Sequence, residues 1–346
     1  MKPEKMLAPL PPGKLPPWLL RKVLPTTTDN SVLVGPGIGR DAAAIAVGDR
    51  IVVAKNDPIT FASQGAADHL VDVNANDIAC MGAVPRWLLV TGLLPHGVTP
   101  ADVLRDFNDL RVACARREVE LIGGHTEILE GLERPILVGM MLGEADRDAL
   151  LRPGLARPGD ALLLTKALAI EGTALLARDR AESLSRHVGE STVLAAQRLL
   201  KDPGISVVAD ARLALESGGV TALHDPTEGG FANAVRELAA VSDCGLAIDA
   251  EAIPVNPETR SIADALGLDP LGMLASGALL IAANPEAAPA IVRAFARQQM
   301  PIAEIGTLTD DPEQAMLYTN DGAVPLPEFA VDEVARALSM LNEGSA

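Results

Sequence analysis

Apolar residues recur along this chain in two periods, and the periods alternate. After an opening of about 15 residues, rich in proline and read as an extended arm, PPWLLRKVL places proline near the start of a short predicted helix. SVLVGPGIGRDAAAIAVGDRIVVAKNDPIT reads as strand, glycine loop, strand, a turn at Gly48-Asp49, and strand. FASQGAADHLVDVNANDIACMG has helical spacing and ends near Gly82, and RWLLVTGLLP reads as a strand. TPADVLRDFNDLRVACARREV predicts an amphipathic helix with Thr99 as N-cap and Pro100 behind it. ELIGGHTEI and RPILVGMMLGEA close this half as strands. The polar stretch ADRDALLRPGLARPGD marks a boundary. ALLLTKAL then opens a second half, with helices to about residue 218, a strand at LASGALLIAANPE and a terminal helix over about 327–342. The implied organisation is an arm and short helix over 1–24, a first domain over 25–148 and a second over 149–346.

Within the first half, DVNANDIACMGAVPRW sets Asp72, Asn74, Asn76 and Asp77 among Val71, Val73, Ile78, Ala79 and Met81. Buried polar groups cost free energy unless partnered. Either this face is solvated, or a cation or hydrogen-bonding group meets it.

Composition narrows the class. The chain is 48% hydrophobic but 2% aromatic, so its interior is aliphatic and suits a packed α/β or α+β protein rather than a disordered one. A formal net charge of -17 argues against nucleic-acid backbones and anionic membrane surfaces as partners. It leaves room for a small polyphosphate bridged to carboxylates by divalent cations. No apolar run nears the roughly 20 residues of a membrane span, and no signal core is evident at the N-terminus. Cys80, Cys114 and Cys244 lack metal spacing, which fits a reduced, cytoplasmic protein.

Five polar and glycine-bearing islands stand at the ends of apolar elements. VGPGIGRDAAAI offers Gly35, Gly37, Gly39 and Asp41; it suits a phosphate loop or an ordinary tight loop, and it lacks the dinucleotide register. AKNDPIT offers Lys55, Asn56, Asp57 and Thr60, with good turn chemistry as the plain alternative. In DVNANDIACMG, Asp77 falls beside the apolar stripe. LIGGHTEI follows Gly123-Gly124 with His125, Thr126 and Glu127, either a ligand contact or a solvated turn. In HDPTEGGFANAVREL, Asp225 is the expected N-cap, Pro226 the first helical residue and Glu228 the capping-box partner. Gly229-Gly230 in the first turn then permits close approach of an anion or another backbone. Together the aspartates at 41, 57, 77 and 225 could supply Mg²⁺ ligands for a nucleotide, and a facing cation would explain Asp77.

The ordered set GPGIGRDAAAI, NDPIT, VNANDIACMGAVPRW, GGHTE, RPGDALLLTKALAIEGTALLA, HDPTEGGFANAVREL and DPLGMLASGALLIA resembles the aminoimidazole ribonucleotide (AIR) synthetase superfamily over about residues 15–310. Members include thiamine-monophosphate kinase, selenophosphate synthetase and the hydrogenase maturation protein HypE. The resemblance implies a two-domain α+β protein. Its N-terminal ferredoxin-like sheet would form a β-barrel across a homodimer, and its C-terminal half would be an α/β sandwich. It implies ATP and Mg²⁺ as cofactors, with Asp41, Asp57 and Asp77 on the metal. Gly37, Gly39, Lys55, Asn76, Gly124 and Thr126 would line the nucleotide, with His125 catalytic beside the phosphates. Asp225 and Glu228 would be the catalytic groups facing the acceptor.

The implied chemistry is phosphoryl transfer to, or dehydration of, a small acceptor with an amide, carboxamide or alcohol oxygen. NDPIT replaces the DGVGTK-like segment of the purine enzyme. The arm lacks the cysteine of selenophosphate synthetase, and Arg40-Asp41 stands where thiamine-phosphate kinases show paired aspartates. The closest resemblance is to HypE-like proteins, yet no cysteine follows Cys244, so their C-terminal cysteine chemistry is not expected. A nucleotide-binding assembly factor with a maturation partner protein, and a thiamine-monophosphate kinase-like kinase, are the alternatives.

Overall fold

The computed structural model describes residues 10, 15, 17–59 and 65–343; most of the proline-rich arm, and Thr60, lie outside the described residues. The short helix expected after the arm spans Pro17–Val23.

The first half builds a six-stranded sheet from β1 (Val32–Val34), β2 (Ala43–Val47), β3 (Arg50–Ile59), β4 (Val84–Pro95), β5 (Glu120–Leu129) and β6 (Ile136–Asp146), in the order β1-β2-β3-β6-β4-β5. Gly48-Asp49 is the expected turn, with Val47 paired to Arg50 across it. β3 runs on through Asn56, Asp57 and Pro58 instead of stopping in a turn, because each pairs with β6, Asp57 opposite Gly139. The helices Ala66–Cys80 and Pro100–Arg116 share one face of the sheet with a core of Ile51, Val53, Leu70, Ile78, Leu88, Leu110 and Met141. Thr99 caps the second helix as expected: its hydroxyl accepts from the Asp102 N–H at 3.2 Å, and the Asp102 carboxylate accepts from the Thr99 N–H at 3.1 Å.

Connectivity corrects the expected ferredoxin-like sheet. From β3 the order is strand, helix, strand, helix, strand, strand, whereas the ferredoxin-like pattern is β-α-β-β-α-β. The second crossover helix comes one strand earlier, so β5 lies parallel to β4 at the sheet edge and β6 returns between β3 and β4. The sheet of the single chain is open.

The second half forms a seven-stranded sheet from β7 (Ala161–Thr165), β8 (Val220–His224), β9 (Gly245–Asp249), β10 (Leu280–Ala283), β11 (Ile302–Thr309), β12 (Ala315–Thr319) and β13 (Gly322–Pro325), in the order β13-β12-β9-β11-β7-β10-β8. β7 is buried on both faces. Leu162 and Leu164 join one apolar cluster, with Phe231, Val235 and Ile262 from helices; Ala161 and Leu163 join the other, with Ala211, Ile291 and Phe295. The expected helix–sheet–helix layering is present, and the overall class is mixed α+β with two sheets. Ala79 and Cys80 belong to this second core, although Leu70, Val71 and Ile78 of the same helix belong to the first. The Ala66–Cys80 helix is therefore the axle between the halves. No helix among the described residues is long and apolar enough to cross a membrane.

Candidate functional site

Strand alternation sets the first part of the site. On β3, Ile51, Val53, Lys55 and Asp57 share the face turned to the helices. Two apolar residues enter the core, then an ammonium and a carboxylate occupy the same row. Opposite them stands Asp77. The Lys55 Nζ lies 2.9 Å from its Oδ2 and 3.3 Å from Asp57 Oδ2. Burial works against charge on Lys55, but Asp77, Asp57 and Asp41 more than offset this and hold it protonated. Burial raises the Asp77 pKa well above the carboxylate range; Lys55 opposes the shift, and Asp225, Asp41 and Asp57 add to it.

The other polar residues of that helix are partnered differently. Asn74 accepts from the Asp57 N–H at 3.0 Å and donates to Leu70 O at 2.9 Å, stapling helix to β3. Asp72 takes a two-pronged bond from Arg117, 2.5 Å on each arm. Asn76 donates to Ile205 O at 3.0 Å and accepts from Val207 N–H at 2.8 Å, tying the axle to the second half. This corrects the expectation that Asn76 meets a nucleotide, since its fully buried amide is bonded at both ends.

The second half supplies the rest of the cluster from the end of β8. His224 Nδ1 lies 3.0 Å from Asp41 Oδ2, and its Nε2 lies 3.5 Å from Glu237 Oε2. Burial lowers the His224 pKa, but the two carboxylates prevail and lift it well above the imidazole range. Asp225 is 2% exposed. The Cys80 thiol donates to its Oδ1 at 3.6 Å, while its buried Oδ2 has no hydrogen-bond partner among the described residues. Burial, reinforced by Asp41, raises the Asp225 pKa to about 7. Asp41, His224 and Asp225 each offer a ligand atom, all within 4.8 Å of one another. An unpartnered, buried carboxylate oxygen beside a second carboxylate is the donor arrangement a hard divalent cation takes.

The remaining expected residues lie elsewhere. Gly124, His125 and Thr126 sit within β5, not in a loop beyond a strand end. Asp57 pairs with Gly139, Gly139 with Val90 and Val90 with Gly124. Three strand spacings of roughly 4.8 Å therefore put Gly124 about 14 Å from Asp57 within one chain. The His125 side chain is 71% exposed, and its imidazole lies 3.8 Å from Glu127. Gly39, at φ +68°, lets the loop seat on the helix Gly230–Val241, where a Cβ would come within 2.7 Å of Val241. Beside Gly37 the nearest group is the Arg40 side chain.

HDPTEGG does not cap its helix as expected. The helix begins at Gly230, with left-handed Gly229 as N-cap, so Pro226 precedes it. Asp225 is drawn instead into the carboxylate cluster. The Gly229 N–H donates to Asp332 Oδ2 at 2.9 Å, and a Cβ on Gly230 would come within 2.5 Å of Leu271 O. The two glycines thus admit an internal carboxylate and a neighbouring backbone. Glu228 lines a separate cleft with Arg134, Asp179, Leu274 and Asp332. Sequence reasoning did not single out His224, Glu237 or Asp332; the adjacency of His224 to Asp225 in HDPTEGG was the local signal for the first.

Residues 39–145 match the family model for AIR synthase related protein, N-terminal domain, and residues 157–318 match that for AIR synthase related protein, C-terminal domain. The chain belongs to this AIR synthase related family, and its relatives place it on the HypE-like side. Carbamoyl dehydratase HypE of Rhizobium leguminosarum bv. viciae is 31% identical over 265 residues, which span 74% of this chain and 73% of that one. Two solved structures share the fold. One is a HypE–HypF complex, with TM-score 0.70, 18% identity, 83% of this chain and 93% of that one covered. The other is HypE in complex with ATP, with TM-score 0.68, 21% identity and 91% of each chain covered.

Proposed function

We propose that this chain is a Mg²⁺- and ATP-dependent enzyme that transfers the γ-phosphoryl group to an oxygen of a small acceptor. The observation that carries this reading is the buried, unpartnered Asp225 oxygen beside Asp41, at the joint of the two halves. Carboxylates from both halves meet there, which suits a site that closes on two substrates. The HypE structure that contains ATP and the relative named carbamoyl dehydratase support the nucleotide and the reaction class.

Asp41 and Asp225 are the residues that fit Mg²⁺, which when bound would neutralise the charge of the phosphates. His224 holds Asp41 by its Nδ1 and so fixes the carboxylate that joins the glycine loop to the second half. Lys55 adds a fixed positive charge to the same cluster. In the transfer, the acceptor oxygen forms a bond to the γ-phosphorus while the bond to the β-phosphate oxygen breaks and ADP leaves. On an amide acceptor, later departure of phosphate carries the oxygen away with two amide protons lost, a net dehydration to a nitrile. The acceptor is proposed to be a separate small molecule; Cys80, Cys114 and Cys244 are buried.

The working unit is proposed to be a homodimer that closes the open six-stranded sheet into a barrel. Two helices cover one face of that sheet; the other face, with Val52, Ala54, Leu89, Val138, Met140 and Leu142, is apolar and has no layer over it among the described residues. A nucleotide-binding assembly factor is the second reading, favoured by the similarity to a HypE–HypF complex.

Calorimetric titration with ATP, with and without Mg²⁺, tests the proposal. Binding should need Mg²⁺, and Asp225→Asn should weaken it about tenfold or more, about 1.4 kcal/mol. Folded protein that binds no ATP would refute it, while binding without turnover of any acceptor would select the assembly factor.

A further inference from the structure

We infer that Lys55 is a built-in cation that takes the place of a divalent ion between Asp57 and Asp77, leaving Asp41 and Asp225 as the one divalent-cation site. This deepens the site reading above and rests on the nucleotide only for its final arm.

The division of the four carboxylates carries the inference. Asp57 and Asp77 both direct an Oδ2 at the Lys55 ammonium, at 3.3 and 2.9 Å. A divalent ion shared by these oxygens, at the roughly 2.1 Å of a Mg–O bond, would collide electrostatically with an ammonium on the same two atoms. Lys55 has little freedom to leave, because only 18% of its side chain is exposed and its β3 position points it at the axle helix. The opposite pair differs. Asp225 Oδ2 is buried and has no partner among the described residues, and an oxygen of the same carboxylate lies within 4.8 Å of ligand atoms on Asp41 and His224. Lys55 sits on both carboxylates of its pair, whereas His224 bonds Asp41 alone and leaves the Asp225 Oδ2 open.

The consequence is a site with a fixed charge at one end and an exchangeable charge at the other. A lysine ammonium needs no metal supply and cannot dissociate, so its charge stays between Asp57 and Asp77 when divalent cations are scarce. Loss of Lys55 would open the Asp57–Asp77 pair to a divalent ion of its own.

The test is to count bound Mn²⁺ on the full chain by electron paramagnetic resonance, with Mn²⁺ alone as the probe. The wild type should take about one Mn²⁺ per chain, and Lys55→Thr about two. In wild-type background, Asp225→Asn should abolish the single site, while Asp57→Asn should leave its affinity within about twofold. The Asp57→Asn arm does not depend on Lys55→Thr folding. Two Mn²⁺ on the wild type, no gain with Lys55→Thr, or loss of the site with Asp57→Asn would each overturn the inference. Repeating the count with β,γ-methylene-ATP separates the two readings. The expected Mn²⁺ pattern without nucleotide binding would refute the ATP-dependent function and leave the assignment of Lys55 standing.

Discussion

The ammonium of Lys55 lies 2.9 Å from a carboxylate oxygen of Asp77, and both groups are largely withdrawn from solvent. This pair accounts for the placement of an aspartate in the axle helix. Asp77 is neither solvated nor idle: it faces a cation contributed by the neighbouring strand. A buried ion pair of this kind is weak evidence for stability, because desolvation opposes the Coulomb gain. Breaking it from one side is costly nonetheless.

Lys55→Met should therefore destabilise the metal-free protein by about 3 kcal/mol, since it leaves carboxylates buried without a counter-charge. The double variant with Asp77→Asn should lose less than the sum of the single losses, with a coupling of about 1–3 kcal/mol. Urea unfolding in the presence of a chelator measures all four corners of the cycle. Additive losses would mean that the two residues act independently.

How much of this was legible in the sequence depended on how local the chemistry was. Thr99-Pro100 and Gly48-Asp49 carry their conformations in two or three residues, and both were read correctly. The Lys55–Asp77 pair joins different elements, yet the alternation Ile51, Val53, Lys55, Asp57 already put the lysine on the inner face. HDPTEGG misled, because Asp225 and Glu228 imitate a capping box while the actual partner of Gly229 is Asp332, 103 residues away. GGHTE misled differently. Paired glycines suggest a loop, but here Gly124 lets β5 run close beside β4, where a Cβ would come within 1.9 Å of Val90 O. The meeting of Asp41 with Asp225 was expected from the shared pattern of aspartates at element ends, whereas the placement of His224 between Asp41 and Glu237 is tertiary and had no signal beyond the residue type.

Asn76 offers a separation of structure from binding. Asn76→Ala would orphan the Ile205 carbonyl and the Val207 N–H, both tied to the axle helix. Two buried unsatisfied groups should cost about 2–4 kcal/mol. Nucleotide affinity of the folded fraction should change by less than about twofold. Denaturant midpoints and calorimetry report the two quantities separately. A large affinity loss at intact stability would return Asn76 to the nucleotide site.

The carboxylate cluster should make stability fall as pH rises when divalent cations are absent. Asp225 has a pKa of about 7 in the native state against about 4 unfolded. The native state thus binds this proton more tightly, and the stability is full below about pH 4 and lost as pH rises through about 7. Asp77 is also shifted up and acts in the same direction. His224, raised above about 6.5, extends the decline to higher pH. A single proton contributes at most about 1.4 kcal/mol per pH unit. Thermal unfolding from pH 4 to 9 should show the decline, shallower in Asp225→Asn, and excess Mg²⁺ should flatten it by favouring the ionised carboxylates. Stability that rises steadily over this range would contradict the arrangement.

The uncovered face of the first sheet leads to the last prediction. Met140 is 41% exposed, near the middle of a face whose neighbours Leu89 and Leu142 are apolar and half-buried. An apolar sheet face with no layer over it is an association surface. β5 adds an edge whose Ile122 and Ile128 are 50% and 57% exposed. Met140→Glu would set a carboxylate into each half of such an interface, opposite its own copy. Desolvation and like-charge repulsion should then shift the proposed dimer to monomer, with a dissociation constant raised about a hundredfold or more, about 2.7 kcal/mol. The side chain points away from the core that Met141 occupies, so the fold of each chain should persist by circular dichroism. Sedimentation velocity over a range of concentrations distinguishes the outcomes. A wild type that sediments as a monomer throughout, or a variant as dimeric as the wild type, would remove this face from the interface.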